Sequence, residues 1–322
     1  MKQGLDTARW QEELVEAVHA GDETRARALL SQPGARGARS LLEVMLAHPD
    51  APVRQAAAFG LGELGGTASA RCLEQRLPLE EARQDHDGSS VADAITAALG
   101  RIAEGGTRAT LVRRLQRLAT GKSDPGDVGT VVHALWRGRH PELLPVVREV
   151  LTGFSPPAPR SLHGLRTLLE KAPEALGPWV RDRSAPVEHK TGVLTVLEAE
   201  IPDEWVAVLP SFISTAQELL ETAVKQRGEA SYYCECMFSL LLLHRERLLP
   251  LLPTEARVEL RTVTRELVAA TSLNCASRAA ALLQHVGLPE DALRIEAHRP
   301  AEPILAKVFD EAARALRALR ER

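Results

Sequence analysis

One stretch limits what this chain can become. His48-Pro-Asp-Ala-Pro-Val-Arg-Gln-Ala-Ala-Ala-Phe-Gly-Leu-Gly-Glu-Leu-Gly-Gly66 reads as a turn, a helix and a glycine stop, and weaker copies of it return down the sequence. Asp50 suits the N-cap, and Pro52 falls in the first turn, where a missing N–H costs nothing. Val53, Ala56, Ala57, Phe59, Gly60, Leu61 and Leu64 leave little room for a polar face, so the helix is expected to be packed on most sides. Gly60 and Gly62 each cost roughly 1 kcal/mol relative to Ala inside a helix, which close approach of a neighbouring helix would explain. Gly65-Gly66 then ends it, because glycine takes a left-handed C-terminal position without strain.

Shifted by 38 residues, Val53, Leu61 and Gly62 land on Val91, Leu99 and Gly100; shifts of 37 and 36 carry Val91 to Val128 and Leu99 to Leu135. Gly65-Gly66-Thr67 is echoed at Gly105-Gly106-Thr107, and looser copies open at Ala158, Val187, Ala230 and Ala276. Periods of this length mark stacked arrays in which each unit buries its apolar face against the next. Asp50, Pro52, Val53, Arg54 and the small-residue helix after them resemble the second helix of a HEAT repeat, closely over residues 40–120 and less so to about 200. The resemblance implies an all-α fold: a right-handed α-solenoid of about seven HEAT-like hairpins with N- and C-terminal capping helices.

Taken in order, residues 1–39 are expected to hold the N-terminal capping helices, joined at Gly21-Asp22, with Glu12, Glu13 and Glu16 giving the polar outer face. HEAT-like repeats follow over 40–200, then divergent helical repeats and a C-terminal cap over 201–322. First helices are expected near 40–47, 68–82, 107–119, 140–152, 173–182, 203–224 and 254–271. Their partners fall near 52–64, 89–103, 125–137, 159–171, 186–199, 229–246 and 273–286, and a last helix runs from Glu302 to Arg320.

Composition agrees with helices: 3% aromatic residues, with Leu, Ala and Arg abundant, argue against a β-rich fold. A net charge of −3 gives no overall pull toward nucleic acid or acidic lipid. Cys72, Cys234, Cys236 and Cys275 are too few and too scattered for a disulfide framework. The opening residues lack the apolar core of a signal peptide. The greasiest run, Met237–Pro253, is interrupted by His244-Arg245-Glu246-Arg247 and Pro250, so no membrane insertion is expected. The expectation is a reduced, soluble, cytoplasmic protein.

Signs of chemistry are sparse. Gly121-Lys122-Ser123 echoes the end of a phosphate-binding loop, but Gln116 stands where that motif needs glycine and the preceding residues read as helix. In a helix, Cys234 and Cys236 point about 200° apart and cannot chelate one ion, so packed core thiols are expected. Some HEAT-like hydroxylases bind iron through His-Glu dipeptides, and none of the ten histidines here is followed by Glu. No Gly-x-Ser-x-Gly elbow occurs either. Neither a metal, a cofactor nor a catalytic residue is assigned.

A candidate binding stripe can still be drawn. If Val128, Val131, Val132 and Leu135 form one core stripe, His133, Trp136 and Arg137 face the other way; in the next unit Leu162, Leu165 and Leu169 leave His163, Arg166 and Glu170 outward. His189 and Lys190 begin the polar face after that, and Arg54 of the first repeat is counted with the same candidate face. In HEAT-like stacks the inner helices line a concave groove, so these residues could bind a segment of another protein, with Trp136 and the arginines as anchors. The alternative is an ordinary solvated face. A basic first helix carrying Arg108, Arg113, Arg114 and Arg117 could make anion contacts, although such helices usually sit on the convex side and lack aromatic residues for base stacking.

The leading expectation is a non-enzymatic scaffold or adaptor that grips a partner protein along a concave groove. The second is a nucleic-acid binder resembling the HEAT-fold DNA glycosylases, for which Trp136 with Arg137 and Arg166 speaks and the acidic total charge does not. A HEAT-like enzyme acting on a small molecule is a third, without a catalytic set to support it.

Overall fold

The structure is a computed structural model that describes residues 7–32, 38–83, 85–102, 105–120, 125–154 and 157–319. Among the described residues the chain is all-α, with no strand. It divides into two compact units, Met1–Leu162 and His163–Arg322.

The first unit holds α1 (Thr7–His19), α2 (Glu23–Leu30), α3 (Ala38–Met45), α4 (Ala51–Leu64), α5 (Gly66–Glu81), α6 (His86–Ile102), α7 (Gly105–Thr120), α8 (Pro125–Arg137) and α9 (Leu143–Gly153). Helices two apart in sequence pack together: α4 lies against α6, and α6 against α8, while α7 lies against both α5 and α9. Leu61, Leu99 and Leu135 are fully buried or nearly so along the first of these rows. Burying each such side chain stabilises the fold by about 1.5–3 kcal/mol.

Glycine sets the spacing of that row. A Cβ on Gly62 would come within 2.9 Å of the Ala98 Cα, and one on Gly100 within 2.6 Å of the Ala134 Cα. Their lack of a side chain is what lets α4 approach α6 and α6 approach α8, the reason expected for glycines inside a helix. Gly65 and Gly66 then take φ of 63° and 77°, which stops α4 and starts α5 with no intervening loop. Asp50 occupies the N-cap as expected, but its carboxylate makes no capping bond; its N–H instead donates to His48 Nδ1 at 3.1 Å.

The second unit opens within α10 (Arg160–Glu170) and continues through α11 (Pro173–Arg181), α12 (Val187–Ala199), α13 (Leu209–Lys225), α14 (Glu229–Leu243), α15 (Arg245–Leu251), α16 (Thr254–Leu267), α17 (Leu273–Val286), α18 (Asp291–Ala297) and α19 (Pro303–Ala318). Again two rows form: α12, α14, α17 and α19 pack in succession, and α13 lies against α11 and α16. Three local features differ from expectation. Asp203–Val208 is a 3₁₀ segment that gives way to α13 at Leu209, which places Pro210 in that helix's first turn, where its missing N–H costs nothing. The helix expected over 229–246 breaks at His244, whose Nε2 lies 3.1 Å from the Glu198 carbonyl oxygen of α12, a contact with no local signature. The short α18 was not expected at all.

Among the described residues no helix is long and apolar enough to cross a membrane. The Gly121-Lys122-Ser123 echo and Arg320 fall outside the described residues.

Candidate functional site

Three helices begin with the same device. Arg54, Lys190 and Arg257 are each the fourth residue of their helix, and each turns a cationic side chain back to carbonyl oxygens of the turn before it. Arg54 Nη1 donates to the His48 carbonyl at 2.9 Å and to that of Pro49; Lys190 Nζ donates to Asp182 at 2.7 Å; Arg257 Nε donates to Leu252 at 3.0 Å. Arg54 is fully buried, and its Nε also meets Glu80 Oε1 at 3.1 Å, where Arg76 joins the same carboxylate. Lys190 is 3% exposed, and burial pulls its ammonium below the usual lysine range. These two expected groove residues are corrected: they fasten helices to turns and offer a partner no accessible charge.

Trp136 offers a partner no surface either. It was expected to face outward, yet it is 1% exposed, with the Arg139 guanidinium 4.8 Å from its ring centroid. The wheel failed because it allowed α8 one apolar stripe, whereas α8 packs against both α6 and α7; Ala134, Leu135 and Trp136 are all buried. His133 and Arg137, by contrast, are half-buried.

The α7 arginines are largely engaged by their own protein. Arg114, buried, donates to Glu81 at 2.7 Å and to Asp93 at 3.0 Å, and Arg117 reaches the same Glu81 at 2.7 Å. Arg108 donates to the Gly138 carbonyl at 3.3 Å, and exposed Arg113 donates to Thr110 Oγ1 at 2.8 Å. Arg114 is therefore withdrawn as an anion contact, because its charge is balanced inside the fold.

In the second unit the structure does bring expected residues together. His163 of α10 and His189 of α12 stack with ring centroids 4.3 Å apart and planes 17° apart. The approach depends on Gly164, where a Cβ would sit 2.0 Å from the Gly192 carbonyl oxygen. Burial pushes both imidazoles below the usual histidine range; His189 and Arg166 push His163 further, and Arg166 does the same to His189 against the opposing pull of Glu188. One turn along, Arg166 Nε lies 3.6 Å from Glu170 Oε1.

Two features went unnoticed in the sequence. Glu198 of α12 is held largely out of water, and burial raises its carboxyl to about 7, against a lowering by Arg278 of α17. Arg278 also faces Glu235 of α14 at 3.9 Å, and Ser272 donates to that carboxylate at 2.5 Å. In the first unit, a cleft of about 620 Å³ lies where α1 meets the start of α4. Apolar Val15, Pro52 and Val53 line it together with Glu12, Glu16 and Asp50, three exposed carboxylates. Glu12 and Glu16, expected on the polar face of a cap, stand at the edge of this cleft. Nothing within α1 signals that the 48–53 turn stands beside it.

Cys234, Cys236 and Cys275 are buried free thiols, the core role expected of the Cys-x-Cys pair, and burial lifts Cys236 and Cys275 to about 12. Among the described residues no three His, Cys, Asp or Glu side chains are grouped to hold a metal. Compared with known proteins, the chain matches no family model and no curated sequence.

Proposed function

We propose that this chain is a non-enzymatic interaction scaffold whose units are runs of HEAT-like hairpins in the right-handed α-solenoid manner. Its partner is a protein segment carrying Lys or Arg beside apolar side chains, docked in the α1/α4 cleft. The composition of that cleft is the observation that carries the reading. Val15, Pro52 and Val53 give apolar area to bury, while Glu12, Glu16 and Asp50 stand at its edges with His19 and His48, Glu16 also facing Arg25 at 2.8 Å. An amphipathic helix laid into such a groove gains affinity from apolar anchors and specificity from the charges. Rows of helices packed two apart, with glycine at their crossings, support the repeat reading. The free thiols suit a reducing, cytoplasmic setting. The nucleic-acid alternative has less support, because two of the four α7 arginines, Arg114 and Arg117, are tied to Glu81 and Asp93.

Fluorescence anisotropy with labelled amphipathic peptides tests this. A Lys-rich peptide with Leu at helical spacing is expected to bind, and Glu12→Lys/Glu16→Lys to weaken it at least about tenfold, as loss of two favourable charge contacts implies. The ion pair that Glu16 makes with Arg25 is exposed, so its loss leaves the fold intact. Equal binding of a Glu-rich peptide with the same Leu spacing would overturn the reading.

A further inference from the structure

A second cleft, of about 500 Å³, lies in the other unit and is lined from α15, α16 and α17. Its chemistry is opposite to that of the α1/α4 cleft. Arg245, Arg257 and His285 line it with Glu246 as the one acid, and Leu249 and Val286 contribute apolar wall. The sequence run His244-Arg245-Glu246-Arg247, which interrupts the greasiest part of the chain, supplies two of these groups.

Arg257 is the informative residue. Its Nε and Nη2 donate to the Leu252 and Pro250 carbonyls at 3.0 and 2.6 Å, which fixes the plane of the guanidinium. Among the described residues no carboxylate pairs with it, unlike Arg54, Arg114 or Arg261. A carbonyl orients a guanidinium without cancelling its charge, and five N–H donors leave others for a ligand. Arg245 is only partly neutralised: Nη1 donates to the Leu242 carbonyl at 3.4 Å, and Nε lies 3.2 Å from Glu246. Burial pushes the His285 imidazole below the usual range, and Arg245 adds to this with Glu246 opposing.

We propose that this cleft binds a small phosphate monoester, with the phosphate against Arg245, Arg257 and His285 and the organic group against Leu249 and Val286. Two guanidinium forks and an imidazole offer the charge-assisted donors a compact dianion requires. The apolar wall and the volume exceed what inorganic phosphate alone would use. This inference is independent of the proposed docking of a basic segment, which involves the other unit.

The probes are phenyl phosphate, inorganic phosphate and phenol, each titrated against the whole chain while the His285 imidazole signals are followed by NMR. Phenyl phosphate is expected to shift them saturably, inorganic phosphate to bind at least about threefold more weakly, and phenol to leave them unmoved. Arg245→Gln is expected to weaken phenyl phosphate about tenfold, and Glu246→Gln to strengthen it about threefold by removing a repelling charge. Both side chains are exposed, so neither substitution threatens the fold. His285 signals unmoved by about 10 mM phenyl phosphate, a millimolar affinity limit, would overturn the proposal. So would equal affinity for the two phosphates, or unchanged affinity in both variants.

Discussion

His163 and His189 lie face to face across α10 and α12, their ring centroids 4.3 Å apart. Two imidazolium ions could not share that spacing beside Arg166 without strong repulsion, and burial already favours the neutral form of each. The folded pKa values therefore lie below the unfolded value of about 6.5. Stability from this pair is present above that unfolded pKa and is lost as pH falls through the depressed folded values. Urea midpoints at pH 7.5 and pH 5 should drop more in the native sequence than in His163→Gln/His189→Gln. An equal drop in both would show that the stack does not titrate as described.

Glycine substitutions separate close packing from intrinsic helix preference. A Cβ on Gly164 would fall 2.0 Å from the Gly192 carbonyl oxygen, whereas one on Gly129, inside α8, meets nothing within 4 Å. Gly164→Ala should destabilise by about 3 kcal/mol or more, since backbone must move to admit it. Gly129→Ala should stabilise by about 0.5–1 kcal/mol. Chemical denaturation of both variants checks the pair of signs.

Arg54 and Glu80 are both fully buried. Arg54→Met removes one of two cations from a carboxylate that cannot reach water and frees the His48 and Pro49 carbonyls; because Arg76 still donates to Glu80 at 2.6 Å, the expected cost is about 1–3 kcal/mol. Arg113→Ala, on the exposed face of α7, should stay within about 0.5 kcal/mol of the native protein by the same denaturation measurement.

Glu198 reports in the opposite direction from the histidines. Its carboxyl rises to about 7 on folding, so the folded state is progressively penalised as pH climbs from the unfolded value of about 4.5 through 7. Glu198→Gln should raise stability by about 2–3 kcal/mol at pH 8 and change it little at pH 4.5. A thermal-melt series across that interval measures the difference.

How far the sequence could be read depended on whether a residue's reason was local. Gly62 and Gly100 carried theirs on the surface, because a glycine inside an apolar helix asks for a close neighbour, and Ala98 and Ala134 are those neighbours. The starts of α4, α12 and α17, expected near 52, 186 and 273, fall at Ala51, Val187 and Leu273. Arg54 and Lys190 were misplaced because charge was taken to mean exposure, although the carbonyls that hold them lie only five to eight residues earlier. His163 and His189 were both expected on the candidate stripe, but their contact rests on the Gly164–Gly192 crossing, which no periodicity encodes. The α1/α4 cleft needed two segments some forty residues apart to be placed side by side.

Hydrogen exchange on the whole chain, with and without a saturating Lys-rich amphipathic peptide, tests the docking reading most directly. Slowed exchange concentrated in α1 and the 48–53 turn, and absent from the Glu12→Lys/Glu16→Lys variant, is the expected result. Protection confined to other helices, or none at saturation, would contradict it.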